Sequence, residues 1–431
     1  MMSVENLTER MGNAHLNDEQ LPFNPGPEMG IPQDALEHIP RYLFRIVSPH
    51  SNGYTDSTWV HSQAAADNIP SSREDIFLNL GRDKQEAVAL TLLFHLRWWS
   101  KDDMADNFVS WTSSLLFALQ YIYYRHWSNR DGSDLKDIKL FVVDTTLFPR
   151  GTFMRDIDLI NAFSPVADDY TRRELELVQG WRTGGPNYFG EYLSQGLLKI
   201  EDKYQVIPAS VLIDGDRLWR LQPAFKNIHS HAQASMDRPS WPKEVTRIRG
   251  VLRGNGRPSI QFTEEGMRER VMALEPIIDS FEPAWRRPMA IFFIALMGCE
   301  SEIPSPGIET DILYQFLKRA GLLEKPGLRL AQFQLDASDV MVESRRAEQV
   351  LLQVYKYGQL CKNLKIAQQA ASKVQRLLVR HNIYHREDGS AAAGGNETLA
   401  SGHQRVLDTL DSIRALCDQA SEVYSVAHEG E

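Results

Sequence analysis

Residues 42–47 read Tyr-Leu-Phe-Arg-Ile-Val, an aromatic and β-branched run closed by Ser48-Pro49, and this predicts the first buried strand. Apolar positions at Ala87, Leu90, Leu93, Phe94 and Trp98 recur near the helical period, so an amphipathic helix carrying His95 is expected over 83–99. Residues 108–112 form a short strand. Ser113 or Ser114 then caps a helix through Leu116, Ala118, Leu119 and Tyr123, because a serine oxygen accepts from the first free amides. The clearest strand is 138–144, ended by Thr145 and Thr146. Strands are also expected at 197–200 and 205–213, with Asp214-Gly215-Asp216 turning a hairpin into 217–221.

Past about residue 225 the strand signals fade. Pro239, Pro242 and a Gly-rich turn at 249–257 mark 229–258 as a linker. Helical runs follow from Thr263, at 288–298, at 308–320 and at 338–384, the last with Ala347, Val350, Leu351, Val354, Tyr357 and Leu360 on one face. A loop at 391–401 precedes a final helix at 402–426. The first 40 residues are polar, punctuated by Pro and Gly, and read as a flexible leader. The expected fold class is therefore α+β: a mixed sheet with helices over 41–228, the linker, and an all-helical domain over 259–431.

Composition narrows what such a chain can do. A net charge of -10 argues against nucleic acid held by the overall field. No apolar run reaches a membrane span, the N-terminus lacks the apolar core of a secretory signal, and the three cysteines show no framework spacing, so a reducing, cytoplasmic setting is expected. His229 with His231, and His381 with His385, lack further ligands nearby, so no metal is expected. The helical faces leave self-association open.

Three segments form a candidate site: Arg45 on the first strand, Ser110-Trp111-Thr112 at a strand-to-helix junction, and Glu191 after a loop rich in Gly and aromatics (VQGWRTGGPNYF). This order resembles the arginine-serine-glutamate class of ADP-ribosyltransferases, the toxin-like enzymes that split NAD, over roughly 42–213. The resemblance implies an ADP-ribosyltransferase-like fold with NAD as the bound substrate. It implies Arg45 on the ribose and phosphates, Ser110 and Thr112 bracing the site, and Glu191 as the catalytic carboxylate. Arginine-modifying members place Glu or Gln two residues before that glutamate. Here the position is Phe189, so another protein acceptor, or water, is expected. The phrases FVSWTSSLLFALQYI and FGEYLSQGLL also look like those of an uncharacterised fungal domain family.

The chemistry asks for the same groups. Breaking the nicotinamide–ribose bond builds oxocarbenium charge that a carboxylate opposes, and a pyrophosphate suits a bidentate arginine. Two readings stay open: an ADP-ribosyltransferase or NAD glycohydrolase, and a catalytically inactive recognition module with a helical docking tail, which Trp111 and Phe189 favour. His95, beside Trp98 and Trp99, reads as a packed, hydrogen-bonded histidine.

Overall fold

The computed structural model describes residues 20–97, 106–128, 131–183, 187–227, 241–253, 264–297, 308–323, 334–335, 341–387, 405–406 and 408–416. The chain divides into two compact units, one of residues 1–303 with 327–349, the other of 304–326 with 350–431. The architecture of the first is α+β. Its strands are β1 (Tyr42–Val47), β2 (Tyr54–Thr55), β3 (Trp59–His61), β4 (Phe108–Thr112), β5 (Lys139–Asp144), β6 (Met154–Arg155), β7 (Glu191–Gln195), β8 (Leu197–Lys199) and β9 (Tyr204–Pro208). They form a six-stranded sheet in the order β6-β7-β4-β1-β5-β9 and a smaller one, β2-β3-β8. Every pairing among the described residues is antiparallel, which corrects the expectation of a mixed sheet.

Strand alternation gives the large sheet two faces. Leu43, Val109, Trp111, Phe141, Val143 and Tyr192 pack against Val60 and Leu198 of the small sheet. The other face, with Phe108 and Leu193, is covered by helices α1 (Arg82–Arg97), α3 (Asp156–Phe163) and α4 (Asp169–Thr183). Helix α2 (Leu115–Trp127) begins where the sequence predicts, with Ser114 Oγ accepting from Phe117 N at 3.1 Å. Helices α5 (Trp241–Leu252), α6 (Glu264–Asp279) and α7 (Pro283–Ala295) belong to the same unit, and Phe292 of α7 meets the ring of Phe44 edge-on at 5.2 Å. In the second unit, α8 (Ile308–Arg319) contributes Tyr314, whose ring meets Tyr357 at 5.2 Å. Tyr357 lies on α9 (Val342–Glu387), a helix that starts in the first unit. Among the described residues no helix is long and apolar enough to cross a membrane.

Several expectations are corrected. Residues 20–40 of the expected leader are built into the first unit: Gln20 bridges Leu198, Phe23 N donates to Gly151 O at 2.7 Å, and Phe23 and Met29 are buried in the core. Residues 1–19 lie outside the described residues. The expected linker contains α5, and the boundary by compactness falls elsewhere, because α5 to α7 pack on the sheet unit. The expected hairpin is a pair of short helices, Ala209–Ile213 and Arg217–Leu221. Gly215 and Asp216 take left-handed backbone angles between them, and Leu218 and Leu221 bury one helical face. Of the final helix expected at 402–426, the described residues, 405–406 and 408–416, are helical.

Candidate functional site

Antiparallel register decides which side chains meet. Thr112 lies opposite Glu191 and Ser110 opposite Leu193, so Ser110 and Glu191 are diagonal neighbours on one face. The Ser110 hydroxyl donates to Glu191 Oε1 at 2.8 Å. Alternation sends Trp111 to the opposite face, where its Nε1 donates to Ser194 Oγ at 3.0 Å in the core.

Arg45 reaches this site through a split in the sheet. β1 pairs with β5 along its whole length, from Tyr42–Asp144 to Val47–Lys139, but registers with β4 at Phe44–Thr112. Two residues on, a continued ladder would bring Ile46 opposite Ser110. There the Ser110 carbonyl instead accepts from Arg45 Nη1 at 3.0 Å. Arg45 Nε is buried without a hydrogen-bond partner, and no carboxylate among the described residues pairs with the guanidinium. Burial, with the like charge of Arg125, pushes its pKa down to about 10. A half-buried cation with an unpartnered Nε at a cavity wall leaves a donor that an anionic ligand could use.

Glu191 is held from its other side by Arg182 of α4, whose Nη2 lies 2.9 Å from Oε2. The same guanidinium pairs with Asp156, a fully buried acid at the start of α3. Behind Ser110 stands His95 of α1, with Nε2 2.7 Å from the hydroxyl and Nδ1 2.8 Å from Asp106. Thr112 takes a structural part. Its Oγ1 donates to Phe189 O at 2.6 Å and accepts from Ser114 N, fixing the loop that delivers Glu191.

That loop is braced from the helical part as well. Gly190 has φ +64°, and a Cβ there would strike Ser113 Oγ. Arg249 of α5, fully buried, donates to Tyr188 O at 2.5 Å and pairs with Glu343 of α9 at 2.7 Å. Glu343 also accepts from Ser114 Oγ at 2.6 Å. Its pKa is pushed up by burial, but the Arg249 charge and the hydrogen bonds from Arg249 and Ser114 outweigh this and hold it below the usual carboxylate range.

Arg45, Ser110 and Glu191 all line one cavity of about 850 Å³, within the range of ligand pockets. Arg182 and Arg125 line it too, and one wall is aromatic: Phe189 stacks on Phe117 at 5.1 Å and Phe117 on Tyr121 at 5.8 Å. Arg125 is paired with Asp131 at 2.7 Å, and its Nε is buried without a hydrogen-bond partner. Sequence reasoning misses Arg182, Arg125 and Asp106; it reads His95 as packed and hydrogen-bonded, which the structure bears out, without naming its partners. The one usable signal is the even spacing of Asp106, Phe108 and Ser110, which puts Asp106 and Ser110 on one side of an extended chain.

A family model described as "Domain of unknown function (DUF7587)" matches residues 38–196, which contain Arg45, His95, Ser110, Arg182 and Glu191. No curated protein and no solved structure matches the chain.

Proposed function

We propose that this cavity binds NAD and cleaves its nicotinamide–ribose bond in the manner of an ADP-ribosyltransferase, passing ADP-ribose to a protein acceptor or to water. One observation carries the reading. Arg45, Ser110 and Glu191, far apart in sequence, meet at one cavity, and Arg45 there is a half-buried cation whose Nε has no hydrogen-bond partner and which forms no ion pair with a carboxylate among the described residues. A pyrophosphate would supply the missing anion to Arg45 and could meet the unpartnered Nε of Arg125 beside it, as guanidinium forks suit phosphate oxygens. The aromatic wall offers a face for a planar ring of the ligand.

Glu191 uses one acceptor site on each oxygen for Ser110 and Arg182, and a carboxylate has about four. Capacity remains for a ribose hydroxyl. As the C1′–N bond breaks, its electron pair leaves with the nicotinamide ring, which becomes neutral, and Glu191 opposes the positive charge left on the sugar. The acceptor oxygen or nitrogen then bonds to C1′ and releases a proton. Phe189, packed on Phe117, and the cationic Arg182 offer no acid to an incoming guanidinium, so the acceptor is something other than arginine.

The Arg182 pair favours a second reading, a module that binds NAD without cleaving it, since a cation against the carboxylate reduces the charge it can offer. Nicotinamide release from NAD by the full chain and by Glu191→Gln separates the two. Release by the wild type, reduced on the order of 10²–10³-fold in the variant, supports cleavage. Calorimetric binding without release selects the second reading, and absence of NAD binding overturns both.

A further inference from the structure

Behind Ser110 lies a pair of groups for which NAD cleavage as described has no use. His95 is buried, with Nε2 2.7 Å from Ser110 Oγ and Nδ1 2.8 and 3.1 Å from the two oxygens of Asp106. Asp106, also buried, is itself fixed, since its Oδ1 accepts from Phe108 N at 3.0 Å and its carbonyl accepts from Ala64 N. An Asp–His–Ser array of this shape serves in hydrolases to draw the serine proton toward histidine.

Counting hydrogens gives the opposite direction here. The Ser110 hydroxyl has one hydrogen and two close partners. Glu191, ionised, can only accept, so that hydrogen lies toward Oε1, and Nε2 must donate to Oγ. Asp106 also only accepts, so Nδ1 donates to it. The ring then gives a hydrogen from each nitrogen, Nδ1 toward Asp106 and Nε2 toward the Ser110 hydroxyl.

We infer that His95 and Asp106 are positioning residues: they lock the Ser110 hydroxyl as a donor to Glu191, turning it away from nucleophilic use and fixing the carboxylate in one rotamer. What Glu191 then does rests on the NAD reading above; how it is held does not.

Two measurements on the full chain test this. With ¹⁵N-histidine labelling, long-range ¹H–¹⁵N spectra of the wild type should show both His95 ring nitrogens protonated, the signal being assigned by its loss in His95→Gln. Replacing Glu191 by Gln should free Nε2 of its hydrogen, since the amide can donate to Ser110 in turn. An unprotonated Nε2 in the wild type overturns the inference. In nicotinamide release, His95→Ala should lower kcat on the order of a hundredfold with KM for NAD nearly unchanged, the penalty of a carboxylate misplaced by an ångström. His95→Gln, whose amide reaches the Nε2 position, should recover about tenfold of that loss. Equal losses in the two variants, or a loss confined to KM, count against positioning. If the wild type releases no nicotinamide, the cleavage reading falls, and the ring-nitrogen spectra still decide how Glu191 is held.

Discussion

Arg249→Met tests the brace beneath the Glu191 loop. Methionine keeps the apolar stem and removes the charge. Glu343, nearly fully buried, is then left with the Ser114 hydroxyl, and the Tyr188 carbonyl loses its donor. Breaking a buried pair from one side costs about 3–5 kcal/mol, a large part of the roughly 5–15 kcal/mol that holds a domain together. In the wild type the folded-state pKa of Glu343 is held below the unfolded value, so the pair contributes stability above about pH 4.3 that is lost as pH falls through the folded value. In the variant burial is opposed by the Ser114 and backbone hydrogen bonds and no longer by a cation, the folded value rises, and keeping Glu343 ionised costs stability as pH climbs. The gap between the two proteins is therefore widest at neutral pH and narrows toward about pH 4. All nine tryptophans, from Trp59 to Trp285, lie in the first compact unit, so tryptophan fluorescence during urea unfolding reports that unit. The expected midpoint shift is on the order of 1–2 M. Arg249→Met with Glu343→Met should be less damaging than Arg249→Met alone, because no charge is stranded. A single-variant loss under about 1 kcal/mol, the value of an exposed pair, would refute the reasoning, as would a double variant less stable than the single one.

Arg45→Met should leave urea stability unchanged or raised, since it removes a desolvated cation, while weakening NAD binding by calorimetry by about 1.5–3 kcal/mol; lost stability with unaltered binding would make Arg45 structural. Gly190→Ala should cost about 1–2 kcal/mol from its left-handed backbone alone and further lower nicotinamide release, with part of both recovered when Ser113→Ala makes room. Phe23→Ala should cost about 3–5 kcal/mol in the same fluorescence assay, against nearly nothing if residues 20–40 were a loose leader.

What could be read in advance followed local periodicity. β1 stands where its aromatic and β-branched run closed by Ser48-Pro49 puts it, and β4 where a short strand before a serine cap is expected, and they bring Arg45 and Ser110 with them. Trp111, the intervening residue of β4, belongs to the other face of the sheet, as strand alternation requires. Arg182 was hidden. It is one charge among Arg172, Arg173, Glu174 and Glu176 on an amphipathic helix, and only the packing of α4 beside Asp156 singles it out. His95 was placed on its helix correctly, but the identity of the strand beneath that helix, which supplies its partners, is a long-range fact. Phe23 and Met29 plug the core singly, without the recurrence that periodicity detects. Pro239, Pro242 and the Gly-rich turn at 249–257 read as linker signals over 229–258, although a proline in the first turn of a helix, here Pro242, costs no hydrogen bond.

The pairing of β5 with β9 bears on how this protein can be handled. β9 lies at 204–208, beyond the matched stretch of 38–196, and it covers the length of β5 from Val143 back to Lys139. A fragment trimmed to the matched stretch would bare that edge, with Leu140 and Val142 ready to recruit a strand from another molecule, and would also lack Phe23 and Arg249. The stretch that recurs between proteins is thus shorter than the stretch that folds. Expression trials that take their cutting points from the match alone should yield inclusion bodies, and those spanning 20–431 should not.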